Sequence, residues 1–226
     1  MFCEYASAGK VLYGKRYKIR KQIPVWEAAK ILTSRCGTFF EAVRFNNKIE
    51  ITEKFPYAWS KSILAAGEAL LILEGKYEFS IKRRVRKIRK LTYAKRTPAF
   101  LKLYQQAYIC RYSGKIPINP RLIADPSKIL SEIFEKTANT LAEKSGREVR
   151  TFTAPFPGVI STRFFYFINM LKRGRISVPF SEPLVREFEE MGKMFFIIKE
   201  GKIPTEKQRL HAVNLWKHAE RFWLPY

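Results

Sequence analysis

Aspartate is almost missing from this chain: Asp125 stands alone beside nineteen Glu. Nucleases and polymerases that use Mg²⁺ commonly set two or more carboxylates, often Asp, around the metal. The shortage argues against that class, although Glu can substitute. Cysteine is scarce as well. Cys3, Cys36 and Cys110 are far apart and form no Cys-x-x-Cys pair, which leaves no zinc site of the usual spacing and fits a reducing compartment. Histidine is limited to His211 and His218, separated by about 10 Å of helical rise, too far for one metal to bridge easily. No apolar run approaches a membrane span, and the opening MFCEYASAGK has the composition of neither a secretory signal nor an Arg-rich transit peptide. An intracellular, cytoplasmic protein is expected, with no membrane, metal or cofactor called for.

The acids have one more gap. No carboxylate side chain lies between Glu78 and Asp125, a window that holds thirteen Lys or Arg. Over the whole chain 43 Lys and Arg face 20 acids, giving a net charge of +23 and a pI near 10.1. A compact chain with that charge repels itself, and a polyanion relieves the repulsion. Each Lys or Arg that meets a phosphate also releases condensed counterions, so nucleic acid is the expected partner. The 46% hydrophobic and 15% aromatic content of the 226 residues supports a folded core over disorder.

Ser80–Arg96, SIKRRVRKIRKLTYAKR, concentrates the charge. It holds Lys82, Arg83, Arg84, Arg86, Lys87, Arg89, Lys90, Lys95 and Arg96 and no acid. Ile81, Val85, Ile88 and Leu91 recur at helical steps, so the cations are expected on an ordered element.

Two flanking segments extend this surface. In residues 10–21, Val11, Tyr13, Tyr17 and Ile19 alternate around Gly14, predicting a β-ribbon that displays Lys15, Arg16, Lys18, Arg20 and Lys21. Tyr13 and Tyr17 are candidates for base stacking; an ordinary surface hairpin is the plainer alternative. After Thr97–Pro98, a start signal, residues 98–113 read as a helix with Tyr104, Tyr108 and Tyr112 on one face. Tyr104 and Tyr108 are offered as stacking residues and Arg111 as a phosphate contact, though half-buried packing is the commoner fate of such a stripe. Further on, KRGR supplies Arg173 and Arg175 beside Gly174 as supporting contacts.

The run PVWEAAKILTSRCGTFFEAVRFNNKIEI resembles the small helix-turn-helix units of excisionase-type and MerR-type DNA-binding proteins over about 28 residues. The resemblance implies a first helix carrying Glu27, Ala28 and Ala29, a turn over 34–38, a second helix over 39–46 and a closing Lys-Ile segment. Arg44, Asn46 and Asn47 would then address a groove. Gly37 and the Phe39–Phe40 pair depart from the polar start of a recognition helix, and two core helices joined by a turn are the default. His218-x-x-Arg221 with Tyr226 is similar to a tyrosine-recombinase signature, but the spacing is too short to wrap a phosphodiester. GKVLYGKR lacks the Walker spacing.

The remaining chain reads as helices over 57–73, closed by Gly75, over 125–144, over 182–199 and over the C-terminal segment opened by Thr205 and Gln208. Leu210, Val213, Trp216 and Phe222 are its expected core face. Glu187, Glu189 and Glu190 make the 182–199 helix a candidate for protein contact. A mainly α fold with a short basic N-terminal β-ribbon, or an α+β fold with a small sheet, is expected. Residues 1–114 would form a basic nucleic-acid-binding lobe and 115–226 a helical scaffold and protein-contact lobe, or both would pack as one compact domain.

The function these features favour is non-catalytic: a subunit that grips RNA or DNA phosphates within a larger nucleoprotein complex, such as an RNA-guided effector or a ribosome-like particle. A sequence-specific helix-turn-helix DNA-binding protein is the first alternative. A metal-independent nuclease using His211 or His218 is the second.

Overall fold

A computed structural model describes residues 23, 25–46, 48–113, 121–144 and 183–223. Helix α1 (Trp26–Glu41) leads into a hairpin of β1 (Val43–Asn46) and β2 (Lys48–Ile51), then α2 (Phe55–Leu73). Two short helices follow, α3 (Ile81–Ile88) and α4 (Thr92–Arg96), then α5 (Pro98–Ser113), α6 (Arg121–Lys144), α7 (Pro183–Lys199) and α8 (Glu206–Trp223). The fold is mainly α with one small antiparallel sheet. The N-terminal ribbon predicted over 10–21 lies outside the described residues.

The long apolar helix α2 is the centre of the packing. Pro56 in its first turn and Gly75 beyond its end bound it. Gly75 has φ +64°, its N–H donates to the Ile72 carbonyl, and the Lys76 N–H donates to Leu71. Only a residue free of Cβ strain closes a helix this way cheaply. Gly201, φ +74°, ends α7 by the same pair of bonds.

Helix α1 runs antiparallel to α2: the Ser62 hydroxyl donates to the Arg35 carbonyl midway along the pair, and the Phe39 and Phe55 rings meet where α1 ends and α2 begins. Phe39, Phe40, Phe134, Phe188 and Phe195 join into one aromatic cluster drawn from α1, α6 and α7. Each such side chain, fully removed from water, contributes roughly 2–3 kcal/mol. Buried side chains from both sides of residues 114–124 belong to the same core.

The helix-turn-helix arrangement is not what forms. Residues 26–41 are one continuous helix through Gly37, and 43–46 is a strand paired with 48–51, Val43 opposite Ile51 and Phe45 opposite Ile49. Gly37 is explained by packing: a Cβ there would overlap the Trp216 ring of α8. Val43 and Phe45 alternate inward with Arg44 and Asn46 outward, the period-2 signature of a strand. The closing Lys-Ile segment is the second strand, Lys48–Ile51.

Two other expectations differ. Helix α6 begins at Arg121, one turn before Asp125, and carries Pro126 inside it. Pro126 and Ser127 are buried there, so packing offsets the missing backbone bond. Leu210, expected in the core, is 45% exposed, while Val213 and Trp216 are buried as expected. Thr205 and Gln208 do form a reciprocal cap: the Thr205 N–H donates to Gln208 Oε1 at 2.8 Å, and the Gln208 N–H donates to Thr205 Oγ1 at 3.2 Å.

Candidate nucleic-acid interface

Residues 80–96 fold as two short helices, not one. After Ile88 the chain turns through Arg89 and Lys90, and Leu91 adopts an extended backbone before α4. The apolar stripe explains why the segment stays attached. Ile88 and Leu91 are fully buried and Val85 is half-buried, while Ile81 at the outer end is exposed.

Acids from neighbouring elements fasten the segment from beneath. Arg84 Nη1 lies 3.0 Å from Glu68 of α2, donates to the Tyr77 hydroxyl, and stacks 5.2 Å from the Tyr77 ring centre. Lys87 Nζ lies 2.6 Å from Glu78, and this bond holds the Glu78 carboxyl below its usual range. Glu74 accepts the Thr92 N–H at 3.0 Å at the start of α4 and pairs with Lys76 at 2.8 Å. The Tyr93 hydroxyl donates to Glu132 of α6 at 2.8 Å; burial, then that carboxylate, pushes the phenol pKa up.

This corrects two candidate contacts. Arg84 is 5% exposed and ion-paired inside the fold, so it offers no free charge to a phosphate. Tyr104 is 3% exposed, with its ring lying over Gly67 of α2, so it cannot stack on a base. Gly67 is therefore a close-approach glycine between α2, α5 and Ile88 of α3. Lys87 is half-buried on Glu78, and Tyr108 is half-buried.

What remains outward is a compact group. Lys82, Arg83, Arg86, Arg89, Lys90, Lys95 and Arg96 are all exposed, and among the described residues no carboxylate forms an ion pair with any of them. Arg111 is exposed too, but it stands at the far end of α5, over the Tyr57 ring. Lys15, Arg16, Lys18, Arg20, Lys21, Tyr13, Tyr17, Arg173 and Arg175 lie outside the described residues.

Sequence reasoning missed Tyr57, Lys61 and Arg35, which gather with Arg111. Tyr57 and Lys61 are one turn apart on α2, a visible signal, but nothing in the sequence brings Arg111 and Arg35 to them.

On α7, Glu187 is buried at 3% exposure and Glu189 and Glu190 are half-buried. Of the acids expected to face a partner, Glu187 is therefore taken into the fold, while Glu190 pairs with Lys193 at the surface at 2.7 Å. His211 is exposed on α8, and among the described residues no three His, Cys, Asp or Glu are placed to hold a metal ion. Cys36 and Cys110 are buried free thiols whose pKa values are raised by that burial, the reverse of what a reactive thiolate requires. Among the described residues no helix is long and apolar enough to cross a membrane.

No family model, curated protein or solved structure matches the chain.

Proposed function

We propose that this chain is a non-catalytic nucleic-acid-binding protein that grips phosphates without reading sequence, as a subunit of a larger nucleoprotein assembly. One observation carries it: seven exposed cations on α3, α4 and the turn between them, which no carboxylate pairs among the described residues, on a segment fastened to the fold by Glu68, Glu74, Glu78 and Glu132. Flexible lysines on a tail lose more conformational freedom on binding than cations on an anchored element. Arginine also suits phosphate through its planar, bidentate donors. RNA and DNA share that phosphate chemistry, and the surface favours neither.

Contact with other subunits is assigned to the C-terminal helices, on apolar rather than acidic grounds. Phe196, Ile203 and Leu210 are each 45% exposed on α7, α8 and the link between them.

The test is the salt dependence of oligonucleotide binding. The slope of log affinity against log salt is about 0.9 per neutralised phosphate on duplex DNA and about 0.7 on single strands. Reversing Arg83, Arg86 and Lys90 to Glu should weaken binding by orders of magnitude and flatten the slope by roughly two to three. Unchanged affinity and slope in that variant would overturn the proposal.

A further inference from the structure

The polyanion surface occupies the end of α2 where Glu68 and Glu74 stand. A second cationic group lies at the opposite end, about 16 Å along the helix from Glu68. Three helices build it. Tyr57 and Lys61 are one turn apart on α2, and Lys61 Nζ sits 5.0 Å from the Tyr57 ring centre. Helix α5 brings Arg111, whose guanidinium carbon lies 4.4 Å from the same ring centre. The end of α5 is held there because the Cys110 thiol meets the Pro56 carbonyl at 3.6 Å. Helix α1 brings Arg35, its carbonyl bonded to the Ser62 hydroxyl beside Lys61.

We infer that Lys61 and Arg111, set against the half-exposed Tyr57 ring, form with Arg35, whose charge bears on Lys61, a binding site for a phosphoryl group. Among the described residues no carboxylate pairs with any of the three cations. Three positive charges converging with none opposing is an unfavourable arrangement by itself. The crowding carries into the protonation equilibria: burial and then Arg35 hold Lys61 below the usual lysine range, and Arg111 and Lys61 hold the Tyr57 phenol below its own. An anion with more than one charge relieves all of these at once. The tetrahedral oxygens of a phosphoryl group accept several donors together, two from a guanidinium and one from an ammonium. The Tyr57 ring, with cations against it, fixes Arg111 before any ligand arrives, which lowers the ordering cost of binding.

This site goes beyond the nucleic-acid surface at residues 81–96 and stands without it. The phosphoryl group has two sources, a nucleic-acid backbone or end and a free phosphate, and the chemistry is common to both.

Inorganic phosphate titrated into the full chain at constant ionic strength, with chloride as the control, tests it. The nuclear magnetic resonance signals of the Tyr57 ring and the Lys61 ammonium report the site. A saturable shift is expected with phosphate and none with chloride. The Lys61→Gln/Arg111→Gln pair should weaken phosphate by at least about tenfold, a difference of about 1.4 kcal/mol, with Arg35→Gln weakening it less. Absence of a saturable shift in the wild-type chain, or undiminished affinity in the double variant, overturns the inference. Displacement of phosphate by a short oligonucleotide identifies nucleic acid as the source, and failure to displace identifies free phosphate. The Arg83, Arg86 and Lys90 reversal should leave the phosphate response intact, so loss of the polyanion reading and loss of this site are separately visible.

Discussion

Arg84 is joined to Glu68 at 3.0 Å, tying the most basic stretch of the chain to the C-terminal half of its most apolar helix. One cation of the basic segment is thereby converted into its anchor. Removing one partner of a largely buried pair leaves an uncompensated charge, which costs several kcal/mol when both are fully buried.

Glu68→Ala should therefore destabilise the fold by about 2–3 kcal/mol, the lower figure reflecting the partial exposure of Glu68. Urea denaturation would measure it. Polyanion affinity per folded molecule should change far less than in the Arg83, Arg86 and Lys90 reversal, and an equal loss in both would show that Arg84 itself meets the ligand.

Gly67→Ala places a methyl group against the Tyr104 ring and the Ile88 Cδ1. Overpacking of this kind costs about 1–3 kcal/mol. Because Ile88 belongs to α3, the variant should also loosen the basic segment, seen as faster amide exchange at Ile88–Leu91 than in the wild type. Stability equal to or above that of the wild type would show that α2 and α5 can separate freely there.

Glu206 accepts two bonds from Arg209, at 2.8 and 2.5 Å, and one from the Phe45 N–H at 3.1 Å. These bonds, that of Arg209 foremost, hold its carboxyl below the usual value of 4.5. A carboxyl with a lowered folded-state pKa stabilises the fold above its unfolded value, and the stabilisation fades as pH falls through the folded value. Unfolding midpoints followed from about pH 6 to about pH 3 should drop more steeply for the wild type than for Glu206→Gln. Parallel curves would remove Glu206 from the acid response.

Thr205→Ala removes the hydroxyl that accepts the Gln208 N–H. The expected loss is about 1 kcal/mol, measured by thermal unfolding. Loss of much less would mean that the Gln208 side chain alone suffices to close the helix start.

The helices with a clear apolar period are legible in the amino-acid sequence, as are the stop at Gly75 and the cap at Thr205. Those signals are local, carried by residues within one turn of each other. Gly37 misleads because a glycine that admits the Trp216 ring looks, in sequence, like one that makes a turn. The strand at Val43–Asn46 is visible as alternation but hidden beneath a helical resemblance. The outward cations are legible as a group. Which of them face inward is not: Arg84 differs from Arg83 and Arg86 only in pointing towards Glu68, sixteen positions away. The gathering of Arg35 and Arg111 around Tyr57 depends likewise on three helices meeting, which no spacing along the chain encodes.

The four acids beneath the basic segment give it an order of release. Glu68 and Glu132 engage half-buried or buried partners, whereas the outward lysines and arginines stand in solvent. At 0.1 M salt exposed charges are largely screened from partners more than about 10 Å away, and sheltered pairs are affected much less. Rising ionic strength should thus weaken the hold of the outward cations on any polyanion while α3 and α4 stay seated, so that a ligand proposed for this surface would leave before the segment loosens.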